Sequence, residues 1–365
     1  MANDKDWVKR GKLFHQRGEY DQAIDSFKRA LNLNPEQDIK KDIYIRIGLS
    51  YRYKKEYDTA IDWYEKVLEI DDQDPLAWNN IGYAYECKNQ REKAKEMYKK
   101  SLELDPTYEL ALVNLLKLYK ENEEFENAKK LLKDALEEDP VNADNWVDLG
   151  LVYNEMGEYE KSIAAYEKAL LYEPSRVAFN NIGWTYYNQE DFKNAIYAFK
   201  ESLKRDWRYD LPYSNLHKIY NYFLDNNVED CELWKDLADA YFVARDYKYA
   251  LTACNRCLYI NPDYGGMEGL KDEILQAKEK VEMKSKLEST IESAFFTYSK
   301  IASSVLWNDV IGYVKYKAPE LEYTNSEIKY TIIEFINKNG LNIQLNDKRL
   351  IMLKEDLAHD QKLII

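Results

Sequence analysis

The stretch Trp78–Pro106, WNNIGYAYECKNQREKAKEMYKKSLELDP, decides the fold. Trp78, Ile81, Gly82 and Tyr85 recur at intervals of three and four, so they share one face of a helix. A second helical half carries Ala94 and Tyr98 and stops at Pro106, which lacks the N–H that continues a helix. Gly82 and Ala94 are small where two antiparallel helices must approach closely.

The same order returns along the chain. The first unit, about 4 to 37, has Trp7, Gly11, Phe14, Ala23, Phe27, Ala30 and Pro35. Three extra residues, about Asp38 to Lys40, lengthen the turn before the second unit. That unit has Tyr44, Ile47, Gly48, Tyr51, Ala60, Tyr64 and Val67, with Asp72 in place of the closing proline. The fourth has Leu112, Leu115, Tyr119, Ala128, Leu132, Ala135 and Pro140; its Leu116 replaces the small residue and predicts a wider helix pair. The fifth has Trp146, Leu149, Gly150, Tyr153, Tyr166, Ala169 and Pro174, with Ser162 in place of alanine. The sixth has Phe179, Ile182, Gly183, Tyr186, Ala195 and Phe199, with Trp207 where proline is expected. Pro212–Leu224 supplies a first helix only, before the polar loop DNNVED. A last full unit opens at Cys231 with Trp234, Leu237, Ala238, Tyr241, Ala250 and Pro262.

Seven full units and a half unit of this kind resemble the tetratricopeptide repeat, a helix–turn–helix unit of about 34 residues. The resemblance implies an all-α, right-handed superhelix over 4–264, bent by the odd helix. Gly265-Gly266 ends the array, and apolar residues at helical spacing in 265–303 predict a capping helix or helix pair, which a terminal repeat needs. Residues 304–365 read as a small α+β domain. Trp307–Lys317 is amphipathic, Thr324-Asn325-Ser326 caps a helix to Lys338, and Asn339-Gly340 ends it. Leu341–Leu345 and Arg349–Leu353 flank Asn346-Asp347 as a hairpin. With Ala294–Ser303 as a leading helix, this order of elements resembles a winged helix.

Glycine (12) and proline (8) are sparse and tyrosine (32) abundant, which fits packed helices with short turns. A formal charge of −14 disfavours nucleic acid and anionic membranes as partners. No apolar run of spanning length and no signal peptide is read, so a soluble cytoplasmic protein is expected. His15, His217 and His359 are widely separated, and no nucleophile, metal or phosphate-loop motif appears; no enzyme activity, cofactor or metal is expected. Cys254 and Cys257 form a C-x-x-C, but both fall on the packed face of a second helix and read as buried thiols.

In the repeat family the first helices line a groove. Reading its sixth position down the chain gives Lys9, Arg46, Asn80, Asn114, Asp148, Asn181, Asn215 and Asp236. An asparagine ladder there is similar to that of family members that grip a peptide backbone; a carboxamide both accepts and donates. Leu76, Tyr83, Leu110, Val113, Val147, Leu151, Val177, Trp184 and Leu211 should make the middle of the groove apolar. Lys5, Lys9, Lys12, Arg46 and Arg52 make its N-terminal end basic, suited to an acidic portion of a partner. The carboxylate-clamp pattern for chaperone tails fails: Val8 and Lys12 stand where Lys and Asn are needed, and the third unit has Leu76 and Asn80.

The expected function is therefore a protein–protein interaction scaffold or adaptor that binds an extended or helical segment through Asn80, Asn114, Asp148, Asn181 and Asn215. Tyr83, Trp184 and Leu151 would anchor it and Lys9, Lys12, Arg46 and Arg52 meet its charge. The alternative is a regulator whose array senses a partner while the tail binds nucleic acid. Against it, the second helix of the tail offers only Lys329 and Lys338. Self-association through the tail is a third reading.

Overall fold

A computed structural model describes residues 3–299, 304–319, 321, 323–338, 343–345 and 349–352. Helices come in antiparallel pairs: α1 (Asp4–Gln16) with α2 (Tyr20–Leu31), and α3 (Gln37–Tyr53) with α4 (Tyr57–Leu68). Then come α5 (Pro75–Cys87) with α6 (Arg91–Leu104), and α7 (Glu109–Glu121) with α8 (Phe125–Glu138). The pairs α9 (Ala143–Glu155) with α10 (Tyr159–Tyr172) and α11 (Arg176–Asn188) with α12 (Phe192–Arg205) follow. Helix α13 (Asp210–Asp225) precedes a last pair, α14 (Cys231–Val243) with α15 (Tyr247–Ile260). These are tetratricopeptide-like helix pairs. Contacts divide the chain into two compact units, one up to Ile219 and one from Tyr220 onward.

One packing device repeats inside the pairs. Tyr98 of α6 is fully buried, and a Cβ built on Gly82 of α5 would lie 2.7 Å from its ring. The backbone of one helix rests directly on the ring of the other, which any side chain at Gly82 would prevent. Phe27, Tyr64, Tyr166 and Phe199 cover Gly11, Gly48, Gly150 and Gly183 in the same way. Where Leu116 replaces the glycine, α7 and α8 make the least intimate contact of the seven pairs, as its bulk predicts.

The turns repeat as closely. Each of the seven pairs turns through one residue of positive φ: Gly18, Lys55, Asn89, Glu123, Gly157, Glu190 and Arg245. The next N–H then reaches back to the carbonyl of an aromatic in the first helix, as Gln90 does to Tyr85 at 2.9 Å and Glu124 to Tyr119 at 2.8 Å. This closes the helix C-terminus and aims the chain back along its partner. Starts of first helices are capped by Asp74, Asn142, Ser175 and Asp230. The indole N–H groups of Trp78, Trp146 and Trp234 donate to carbonyls six residues upstream, tying each helix to the turn before it.

Three expectations change. Asp38 to Lys40 do not lengthen a turn; they add a turn to the start of α3, because Gln37 onward already carries helical hydrogen bonding. Within the segment expected as a cap, residues 267–299 form one helix that packs on α15 and also joins the tail. The single helix α16 (Met267–Ser299) sends Leu287, Ile291 and Ala294 into one core with residues of α17 (Trp307–Lys317) and α18 (Asn325–Lys338). Among these are Val310, Ile311, Val314, Ile328, Ile332 and Ile336. A strand unread in the sequence, β1 (Ser304–Leu306), joins β2 (Ile343–Leu345) and β3 (Arg349–Met352) in an antiparallel sheet ordered β1-β3-β2. Thr324, in the stretch expected to cap α18, forms a capping box with Glu327. Asn339-Gly340, Asn346-Asp347 and most of 341–365 lie outside the described residues.

Gly82→Leu should lower the unfolding free energy by about 1–3 kcal/mol, since neither helix can retreat from Tyr98 without opening the core. Gly269→Ala, on α16 with open space around it, should instead raise it by roughly 0.5–1 kcal/mol. Chemical denaturation followed by circular dichroism reads both, and equal effects would refute the ring-on-backbone account.

Candidate partner-binding face

First helices of neighbouring pairs touch: α1 meets α3, α5 meets α7 and α9 meets α11. Their outward side is the candidate face, here described for the unit up to Ile219. The sixth-position residues are not an open row on it. Asn114 is half-buried and its Nδ2 donates to Asn79 Oδ1 at 3.1 Å, 35 residues back. Asn215 is buried and donates to Asn180 Oδ1 at 3.2 Å across the same interval. Asn180 in turn donates to Asn181 Oδ1 at 3.3 Å. Asn80 is buried with its Nδ2 lacking a partner among the described residues. Asp148 is paired with Lys120 at 3.0 Å.

The asparagines thus interlock successive first helices. Position five of one helix faces position six of the next, so a carboxamide at each satisfies the other away from water. Asn79 and Asn180 carry this role, and the identical 35-residue interval to Asn114 and Asn215 was the signal for it in the sequence.

Apolar residues between the asparagines do reach the surface. Leu110 is 56% exposed and Leu211 54%, with Val113, Val177 and Tyr83 also exposed. Leu76, Val147, Leu151 and Trp184 are half-buried. Val147 and Leu151 pack against Tyr166 and Ile182. Trp184 is stacked on Tyr187, centroids 5.1 Å apart, and the Lys218 ammonium lies 4.3 Å from the centre of its ring. That contact fixes the indole before any ligand arrives.

The N-terminal end is cationic. Lys12 and Arg46 share one carboxylate, Asp42, at 3.3 and 2.9 Å. Lys5 and Lys9 are exposed, and neither has an acidic partner among the described residues. Arg52 lies over the rings of Tyr53 and Tyr83, 5.2 and 4.6 Å from their centres. His15 contacts Tyr20 and Tyr53, and its Nδ1 is 2.9 Å from Ser50 Oγ. Burial, then the charges of Arg46 and Arg52, hold its imidazole below the ordinary histidine range. In the other unit Cys254 and Cys257 are fully buried, and burial pushes their thiols up to about 11 and about 12. They are core residues of α15, as their place in the repeat pattern implies.

Family models match along the array. Tetratricopeptide repeats match residues 7–73 and 148–210, and the middle TPR-like domain of cilia and flagella-associated protein 70 matches 47–172. The chain belongs to the tetratricopeptide-repeat family. Among solved structures, MamA is 33% identical over 44% of this chain and 94% of its own, with a TM-score of 0.39. YrrB, a TPR protein with an unusual peptide-binding site, is 21% identical over 52% of this chain and 96% of its own, with a TM-score of 0.41. The C-terminal part of a TPR repeat-containing protein from Cytophaga hutchinsonii is 16% identical over 72% of this chain and 98% of its own, with a TM-score of 0.47. Among curated proteins none matches. Nothing in these matches supports the winged-helix resemblance of the tail, which rests on the order of elements alone. No helix among the described residues is long and apolar enough to cross a membrane.

Two outcomes check this geometry. Asn79→Ala and Asn114→Ala should each cost about 0.5–1.5 kcal/mol of stability, and the double variant markedly less than their sum. Strict additivity in a double-mutant cycle would show that the two amides do not interact. Because the folded pKa of His15 lies below its unfolded value of about 6.5, the unfolded chain binds more protons as pH falls through that value. Stability should therefore drop between about pH 7 and pH 5 in the parent and drop less in His15→Gln, read from denaturation midpoints at each pH.

Proposed function

We propose that the first-helix face of the unit up to Ile219 holds an extended or helical segment of a partner protein, making the chain a non-enzymatic scaffold or adaptor. Tetratricopeptide proteins generally mediate protein–protein interaction, and YrrB carries a peptide-binding site. The observation that carries the reading is the row Tyr83, Leu110, Val113, Val177 and Leu211, apolar and exposed on a face that helix pairing does not require to be apolar. Exposed apolar residues gathered on one face are a mark of interaction sites. Asn114 and Asn181, only half-buried, keep N–H groups for a bound backbone, while Trp184 is a pre-set aromatic anchor.

The test is isothermal titration of the full chain with a peptide selected against it from a displayed random library. Trp184→Ala should weaken binding about tenfold or more, and Asn181→Ala by less, the value of one lost backbone bond. A selected peptide that binds Trp184→Ala as tightly as the parent would place the site elsewhere.

A further inference from the structure

The added turn of α3 walls a recess against α1. Asp38 and Ile39 lie in that turn and, with Asp42, face Lys5, Val8, Lys9 and Lys12 of α1 across an open recess of about 460 Å³. The floor of the recess is aliphatic, formed by buried Val8 and half-buried Ile39. Its rim sets Lys5, Lys9 and Lys12 against Asp38 and Asp42, a net positive edge in a chain of net charge −14.

The ion pairing along this face is uneven. Farther along, Lys117 reaches Glu86 at 2.8 Å and Lys120 reaches Asp148 at 3.0 Å, each cation meeting an acid of a neighbouring pair. At the recess one carboxylate serves two cations, since Asp42 accepts from Arg46 Nε at 2.9 Å and sits 3.3 Å from Lys12 Nζ. Lys5 and Lys9 have no acidic partner among the described residues. Asp42 and Lys12 are both about two-fifths exposed, so water and a ligand can reach the pair.

We propose that this recess takes an acidic side chain of the bound segment together with an adjoining aliphatic one, and that Asp42 holds the carboxylate's place while the recess is empty. The inference rests on the groove-binding reading above. An incoming Asp or Glu displaces Asp42 from Lys12 or Arg46, and Lys5 and Lys9 gain the partner they lack. The neighbouring aliphatic side chain covers Val8 and Ile39. Exchange of one carboxylate for another is nearly neutral, so selectivity comes from the two unmatched lysines and the apolar floor. The recess thereby fixes which end of the segment lies over the first pair.

The experiment pans a random nonapeptide library against the immobilised full chain. The best peptide and its Glu→Gln (or Asp→Asn) counterpart are then titrated by fluorescence anisotropy against parent, Asp42→Asn, Lys9→Gln and Trp184→Ala. The expected result is enrichment of Asp or Glu beside Leu, Ile or Val. Asp42→Asn should tighten the acidic peptide about two- to fivefold and leave its amide counterpart unchanged. Lys9→Gln should loosen the acidic peptide by a similar factor and flatten its salt dependence. Circular dichroism of each variant confirms folding. Peptides that bind through Trp184 with no acidic preference would overturn the recess assignment and leave the groove reading intact. Unchanged or weaker binding of the acidic peptide to Asp42→Asn would overturn the placeholder role. A chain that retains no peptide at all would overturn both.

Discussion

Five of the seven helix pairs depend on a helix backbone lying flat against an aromatic ring. Where Gly82 meets Tyr98, the pair of helices is held at a separation that leaves no space for a Cβ. That contact is stiff, because a ring cannot shorten and a glycine has nothing to withdraw. Repeated at Gly11, Gly48, Gly150 and Gly183, it sets the geometry of five pairs alike, and the Leu116 pair shows what its loss does. Large buried rings, Phe27, Tyr64, Tyr98, Tyr166 and Phe199 among them, add apolar area to these pairs. A repeat contacts only its neighbours, so stability accrues pair by pair rather than through one central core.

Uniform pairs fix where the first helices sit, and so the face they present. The turn carbonyls of Tyr85, Tyr119 and Tyr153 and their equivalents lock each second helix onto its first. Neighbouring first helices then meet closely enough for Asn114 to reach Asn79 and for Asn215 to reach Asn180. These amides are at once part of the face and part of the framework. Positions between them are freed from packing, and there Leu110, Val113 and Leu211 stand in water.

The two ends of the array depart from regularity in different ways. At the N-terminal end, three added residues become a helical turn and not a loop, and they wall a recess against α1. In the C-terminal unit, α16 packs on α15 and runs on into a second core. Leu287, Ile291 and Ala294 fall on one side of it at helical spacing, and α17 and α18 cover that side. Ion pairs between Lys284 and Glu334 and between Lys338 and Glu288 border this core.

The repeat architecture was legible in the sequence because its determinants are local. A glycine or alanine at the close approach, aromatics at intervals of three and four, and a stop after each second helix act within some thirty residues. Periodicity also placed the thiols of Cys254 and Cys257 in the core and the apolar row on the first helices. The sequence did not separate an asparagine that binds a neighbour from one that faces a ligand. That depends on which atoms two helices, 35 residues apart, bring within hydrogen-bond reach. Nor did it show that Asp38 to Lys40 are helical, since a short polar insertion is compatible with either a turn or a helix start. The pair Asp42–Arg46 is local to α3, but only the packing of α3 beside α1 brought Lys12 to the same carboxylate and left Lys5 and Lys9 without an acid. A charge in a sequence carries a sign but no distance, and pairing depends on distance.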